Sequence, residues 1–133
     1  MKTLIADDDF TSRLLLQGIL RIYGPCQVAV NGKEAVQAVR TALETEQPYD
    51  LICLDIMMPE LDGQMALKSI RDEEETWGIV PAKRAKIIMT TALSDGKNII
   101  DAYSGLCDSY LMKPLDKAKL LDELRKLKLI KSM

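Results

Sequence analysis

An α/β fold built on a five-stranded parallel sheet, with helices on both faces, is what the sequence predicts. Three observations predict it. Short apolar runs suited to strands alternate five times with segments that carry apolar residues at helical spacing. Leu51 to Leu54 and Ile87 to Met89 are continuously apolar, as in strands buried on both faces. Polar residues able to do chemistry stand just after these runs, at the carboxyl ends of the strands, where such sheets bind their ligands. Strict alternation of strand and helix implies parallel pairing with right-handed connections.

Lys2 to Ala6 is the first expected strand, and it stops at Asp7-Asp8-Asp9. Phe10 to Tyr23 follows as a helix. Leu15, Ile19 and Ile22 lie on one line of it, Leu16, Leu20 and Tyr23 lie beside them, and Asp9 or Thr11 can cap its start. Gly24-Pro25 ends that helix, and Cys26 to Val30 is the second strand. Asn31-Gly32 turns into a helix from Lys33 to about Thr45, with Ala35, Val36, Val39, Ala42 and Leu43 as its inward stripe.

The third strand, Leu51 to Leu54, ends where polarity begins, at Asp55. Pro59 and Asp62-Gly63 break regular structure, so an irregular loop precedes a helix from about Gln64 to Glu75. Asp72 to Lys83 reads as a long connection, acidic at first, in which Trp77 is expected to cover apolar surface. Ala85 to Thr90 is the fourth strand and leads into Thr91-Ala92. Ser94 or Asp95 can cap a helix to about Leu106, with Ile99, Ile100 and Tyr103 inward. Asp108 to Met112 is the fifth strand and ends at Lys113-Pro114. The last helix, Asp116 to about Ile130, packs through Leu120, Leu121, Leu124 and Leu127.

A chain of 133 residues has room for one core. The expected domain is therefore 1–133, with its core at about 2–130 and no output domain attached. A net charge of −2 supplies no basic footprint for nucleic acid. No apolar run approaches the roughly 20 residues of a membrane span, and the start lacks a signal-peptide layout, so a cytoplasmic protein is expected. Cys26, Cys53 and Cys107 are widely spaced and lie in or beside apolar segments, as buried free thiols do. Histidine is absent, which excludes a histidine base, phosphoacceptor or metal ligand within the chain.

The predicted edge gathers Asp7, Asp8 and Asp9 from the first strand, Asp55 from the third, Thr91 from the fourth and Lys113 from the fifth. Crowded carboxylates repel one another and are stable as anions only around a cation. An all-oxygen set suits Mg²⁺. Beside such an ion an Asp can act as a nucleophile toward phosphorus, with Lys113 and Thr91 supplying the charge and hydroxyl that a transferring phosphoryl group needs. Nothing in this inventory suits acyl or hydride transfer.

The acid pair after Leu4-Ile5-Ala6, the segment Asp55-Ile-Met-Met-Pro59-Glu-Leu-Asp-Gly63, Thr91-Ala92, and Tyr110 through Lys113-Pro114 occur here in one order. On these motifs the chain resembles a response-regulator receiver domain, similar to stand-alone chemotaxis-type regulators, over essentially its whole length. The resemblance implies a flavodoxin-like (βα)5 fold with strand order 2-1-3-4-5. It implies that Asp55 is the phosphoacceptor, that Asp8 binds Mg²⁺ directly and Asp7 mostly through water, and that Asp55 and the backbone carbonyl of Met57 complete the ligands. Thr91 and Lys113 would bind the phosphoryl oxygens, Lys113-Pro114 would be a cis peptide, and Tyr110 would be the switch aromatic that follows Thr91. Because Asp7 follows the apolar run directly, Asp7 and Asp8 form the pair and Asp9 is a spare or a helix cap.

The same resemblance implies partners and limits. A sensor histidine kinase or phosphotransfer protein would donate the phosphoryl group, and the surface of the fourth helix, fifth strand and last helix would contact a separate target protein. The chain would catalyse only its own phosphorylation and dephosphorylation. Apolar Met57 and Leu93, two positions after Asp55 and Thr91, imply slow loss of phosphate. Three alternatives remain open: a phosphorelay intermediate, a receiver that binds without phosphorylation, and a haloacid-dehalogenase-type phosphatase. The last rests on Asp7-Asp-Asp9-Phe-Thr11, which resembles a DxDx(T/V) motif with Asp7 as nucleophile and Asp9 as acid/base, though no later GDxxxD-like pair follows.

Overall fold

The computed structural model describes residues 1–58, 60–92 and 105–132. Within them β1 (Thr3–Ala6), β2 (Cys26–Ala29), β3 (Leu51–Asp55), β4 (Lys86–Thr91) and β5 (Ser109–Met112) form one parallel sheet in the order β2-β1-β3-β4-β5. The helices are α1 (Phe10–Leu20), α2 (Gly32–Glu44), α3 (Gly63–Thr76) and a C-terminal helix (Lys117–Lys126). The helix expected from Ser94 or Asp95 falls outside the described residues, except for Gly105 and Leu106, which form a turn.

The continuous apolar runs follow from burial on both faces. Leu4, Ala6, Ile52, Leu54, Ile87 and Met89 pack with Ala35, Val39, Leu67 and Ile70 of α2 and α3. Their neighbours Ile5, Leu51, Cys53 and Ile88 point the other way, onto Leu16, Ile19 and Leu20 of α1 and Leu120 and Leu124 of the C-terminal helix. The period of two along each strand therefore feeds two separate cores.

Each described helix starts at a side-chain cap. Asp9, Asn31, Asp62 and Asp116 accept from the backbone N–H groups of Ser12, Glu34, Met65 and Ala118, each contact being worth about 1 kcal/mol. Asp9 is thus the cap of α1, in preference to Thr11.

Several expectations need correction. Leu15 and Ile22 are 42% and 73% exposed and do not belong to the inward stripe. Ile22 leaves it because the chain tightens into a 3₁₀ turn at Arg21–Tyr23, where the period is no longer that of an α-helix. The last helix stops at Lys126, where Leu127 caps it and Lys128 takes a left-handed φ of 61°. The supposed long connection is shorter than expected: α3 continues to Thr76, a 3₁₀ turn takes Pro81–Lys83, and Trp77, 47% exposed, only partly covers anything. Cys53 is buried, but Cys26 and Cys107 are only half-buried; all three are free thiols. No helix among the described residues is long and apolar enough to cross a membrane.

Candidate functional site

Chain order reverses between β1 and β3, since β2 lies outside β1 on one side while β4 and β5 extend from β3 on the other. A reversal of this kind opens a crevice at the carboxyl edge. Ala6 and Leu54 are register partners, so the residues after them, Asp7 and Asp55, stand side by side at that crevice. Asp55 pairs in turn with Thr90 of β4, and Thr91 with Met112 of β5. The Lys113 N–H donates to the Thr91 carbonyl at 2.7 Å, which sets the Lys113 side chain beside the acids. The Lys113-Pro114 peptide is cis.

Lys113 Nζ lies 3.0 Å from Asp7 Oδ2 and 3.3 Å from Asp55 Oδ2. Asp7 and Asp55 are almost wholly buried, at 1% and 3% exposure, whereas Asp8 is exposed. The Asp9 N–H donates to Asp7 Oδ1 at 2.9 Å, and the Met57 N–H to Asp55 Oδ1 at 3.2 Å. Burial pushes the Asp55 carboxyl up to about 7, the charge of Asp7 adds to the rise, and Lys113 opposes it. For Lys113 burial acts downward, but contact with Asp7 and the charges of both acids outweigh it and hold its ammonium above the ordinary lysine range.

Carboxylate oxygens of Asp7, Asp8 and Asp55 lie within 4.8 Å of one another. Asp7 Oδ2 is shut off from solvent, and among the described residues the one charged partner beside it is the Lys113 ammonium, 3.0 Å away. A water-shielded carboxylate oxygen with a single lysine beside it, two further carboxylates in reach and a set of ligand atoms made only of oxygen fit a hard divalent cation such as Mg²⁺.

A family model described as the response regulator receiver domain matches residues 3–125. The chain belongs to that family. This receiver domain is 32% identical over 127 residues to Chemotaxis protein CheY of Bacillus subtilis (strain 168), covering 94% of this chain and 95% of that protein. It is 37% identical over 121 residues to Probable transcriptional regulator ycf27 of Cyanidium caldarium, covering 88% of this chain but spanning only 42% of that longer protein. Among solved structures it is similar to the receiver domain of the histidine kinase CKI1 from Arabidopsis thaliana complexed with Mg²⁺. The TM-score there is 0.79 at 28% identity, over 95% of this chain and 90% of that one. The flavodoxin-like arrangement expected from the sequence is the one found here and shared with that solved receiver domain.

In this receiver domain Asp7, Asp8, Asp55 and Lys113 stand together, Thr91 meets Lys113 through its main-chain carbonyl, and Asp9 turns away. Its carboxylate turns to the start of α1 and accepts from Ser12 N–H at 3.1 Å and Ser12 Oγ at 2.8 Å, which also holds it below the usual carboxylate range. That engagement leaves Asp9 unsuited to the acid/base role that a phosphatase-type reading of Asp7 requires. Thr91 is fully buried on β4. Tyr110 is half-buried against the core on the α2 and α3 side. As the register partner of Met89, it shares a sheet face with Thr91, two positions further along β4. Met57 is 59% exposed at the mouth of the crevice, while Met58 and Leu61 pack onto the core as loop supports. Leu93 lies outside the described residues.

Two features escaped sequence reasoning. Arg71, buried in α3, pairs with Glu74 at 2.6 Å and Asp108 at 3.1 Å, and donates to the carbonyls of Leu106 and Ala85 at 2.7 and 2.9 Å. The signal was present, since Arg71 and Glu74 continue the stripe of Leu67 and Ile70 at a spacing of four. Arg13, beside the three acids, is the second.

Proposed function

We propose that this receiver domain is a cytoplasmic phosphorylation switch that takes a phosphoryl group onto Asp55 from a phosphohistidine on a sensor kinase or phosphotransfer protein. A buried nucleophile with a cation 3.3 Å away and a second acid alongside supports the reading. Asp7, Asp8, Asp55 and the Met57 carbonyl would hold Mg²⁺, with Asp8 the direct ligand of the acid pair. Bound there, Mg²⁺ supplies positive charge against the developing charge of the transferring group and keeps Asp55 ionised.

The residues of the chain do the rest. An Asp55 carboxylate oxygen attacks phosphorus in line; the new P–O bond forms as the P–N bond to the donor imidazole breaks, and the electron pair returns to that nitrogen. Lys113 leaves its ionic contact with Asp55 and binds a phosphoryl oxygen, and the Thr91 hydroxyl donates to another. The Thr91 movement frees space on its sheet face, Tyr110 turns into it, and the surface around β5 and the C-terminal helix changes shape for a target protein. Catalysis in this reading is limited to the chain's own phosphorylation and dephosphorylation.

The test is incubation with acetyl phosphate and Mg²⁺, followed by intact-mass measurement. The wild type should gain one phosphoryl group, and Asp55→Asn none. Undiminished labelling of Asp55→Asn refutes the assignment.

A further inference from the structure

The three acids of residues 7–9 belong to a turn that is closed on itself by hydrogen bonds. Asp9 N–H donates to Asp7 Oδ1 at 2.9 Å, Ser12 donates to Asp9 Oδ2, and Arg13 N–H donates to the Asp9 carbonyl at 3.0 Å. One contact in this ring comes from a long side chain: Arg13 Nη1 donates to the main-chain carbonyl of Asp7 at 3.0 Å. The Phe10 ring covers the guanidinium, with the Arg13 Cζ 5.7 Å from its centroid, and limits the directions that side chain can take.

The Asp7 carbonyl is part of the peptide unit that leads into Asp8, so its direction sets where the Asp8 side chain starts. Asp8 is exposed, yet one of its carboxylate oxygens stands within 4.8 Å of those of buried Asp7 and Asp55. Three like charges in adjacent positions repel, and an unrestrained Asp8 would swing toward water. We infer that Arg13 is a positioning residue for the cation site: by gripping the Asp7 carbonyl, it keeps Asp8 turned toward Asp7 and Asp55. This rests on the reading of the acid cluster as a Mg²⁺ site.

Geometry and charge make opposite forecasts. Removing a guanidinium from beside an acidic cluster strengthens the attraction for a cation by Coulomb's law. Removing a residue that orients a metal ligand weakens metal binding, by about 10-fold or more in comparable outer-shell cases.

The experiment is calorimetric titration of MgCl₂ into the metal-free wild type, Arg13→Ala and Arg13→Gln, with thermal unfolding in chelator as the control for folding. Arg13→Ala should raise the Mg²⁺ dissociation constant about 10-fold with little change in melting temperature. Arg13→Gln, which keeps an N–H donor and loses the charge, should fall between it and wild type. Binding by Arg13→Ala as tight as wild type, or tighter, overturns the inference. Should Arg13→Ala fail to fold, Arg13→Gln decides in the same way. If the wild type takes up no Mg²⁺, the cation-site reading and this inference both fall; if it does and the variants match it, only the role of Arg13 falls.

Discussion

Lys113 Nζ lies 3.3 Å from Asp55 Oδ2, a contact made across 58 positions of sequence. It offsets only part of what Asp55 experiences, because burial and then the charge of Asp7 still lift that carboxyl to about 7. The folded chain without a cation therefore holds a proton on Asp55 more tightly than the unfolded chain does.

The sign of the pH effect follows. Below the unfolded value of 3.8, Asp55 is protonated in both states and the fold bears no penalty; as pH rises through about 7, the folded state must ionise a buried group and loses stability. In chelator at about pH 8, Asp55→Asn should be more stable than wild type by on the order of 2–4 kcal/mol, and the two should converge near about pH 4. Mg²⁺ at the higher pH should stabilise the wild type more than the variant. Urea unfolding across this range tests the claim, and parallel stability curves for the two proteins would rule it out.

The glycines of the crevice loops predict a second contrast. A Cβ on Gly32 would meet the Leu61 carbonyl oxygen at 1.8 Å, and one on Gly63 the Asp55 carbonyl oxygen at 2.1 Å. Backbone atoms cannot step aside cheaply, so Gly32→Ala and Gly63→Ala should each cost about 1–3 kcal/mol or more and weaken Mg²⁺ binding by shifting the loop that carries Met57. Gly18, inside α1, has nothing within 4 Å of its added Cβ, and Gly18→Ala should stabilise by about 0.5–1 kcal/mol. Thermal unfolding of the three variants separates the cases; destabilisation by Gly18→Ala equal to that of the other two would undo the steric argument.

What could be read in the sequence follows the same physics. The strands were legible because β1, β3 and β4 are buried on both faces and so carry unbroken apolar runs. The site was legible because polarity returns just where those strands end, at Asp7, Asp55 and Thr91. Ile22 misled because periodicity says which residues share a face and not where a helix tightens into a 3₁₀ turn, while Leu15, inside α1, stands at the rim of the buried stripe of Leu16, Ile19 and Leu20. Arg71 and Glu74 were passed over because charged residues normally mark the wet side of a helix. Their mutual pairing reverses that rule, and the third partner, Asp108, lies 37 positions away from Arg71.

That cluster, with Arg71 and Glu74 buried and Asp108 at its exposed rim, supplies a third prediction. Arg71 Nη1 and Nη2 hold Glu74 and Asp108, Glu74 Oε2 accepts from the Ala85 N–H at 2.8 Å, and Asp108 Oδ2 accepts from the Ile87 N–H at 2.8 Å. Together they tie α3 to the starts of β4 and β5, at the edge of the sheet opposite the crevice. Arg71→Met leaves the buried Glu74 carboxylate without its cation, while exposed Asp108 keeps water and Lys86 at 4.0 Å; the single variant should cost about 3–5 kcal/mol, and Arg71→Met combined with Glu74→Leu should recover much of it. Denaturant unfolding measures both. A loss below about 1 kcal/mol in the single variant would show that the cluster is not a stabilising clasp.

Loss of phosphate from a phosphorylated Asp55 needs a water in line with phosphorus, and the family resemblance implies that the side chain two positions after Asp55 governs whether one is held there. Met57 is the residue nearest in sequence that reaches the mouth of the crevice: its N–H donates to Asp55 Oδ1 at 3.2 Å, and its side chain is 59% exposed. A thioether offers neither a proton donor nor more than a weak acceptor, so it can cover the mouth but cannot orient an attacking water. Phosphate loss from the wild type should therefore be slow. Met57→Asn places an amide at the same position, able both to donate to and accept from a water, and should shorten the lifetime severalfold without altering Mg²⁺ affinity, because the proposed Mg²⁺ ligand at this position is the backbone carbonyl. Following phosphate release after removal of excess acetyl phosphate measures both proteins. A wild-type lifetime of only seconds, or an unchanged lifetime in Met57→Asn, would show that Met57 does not control access to the acyl phosphate.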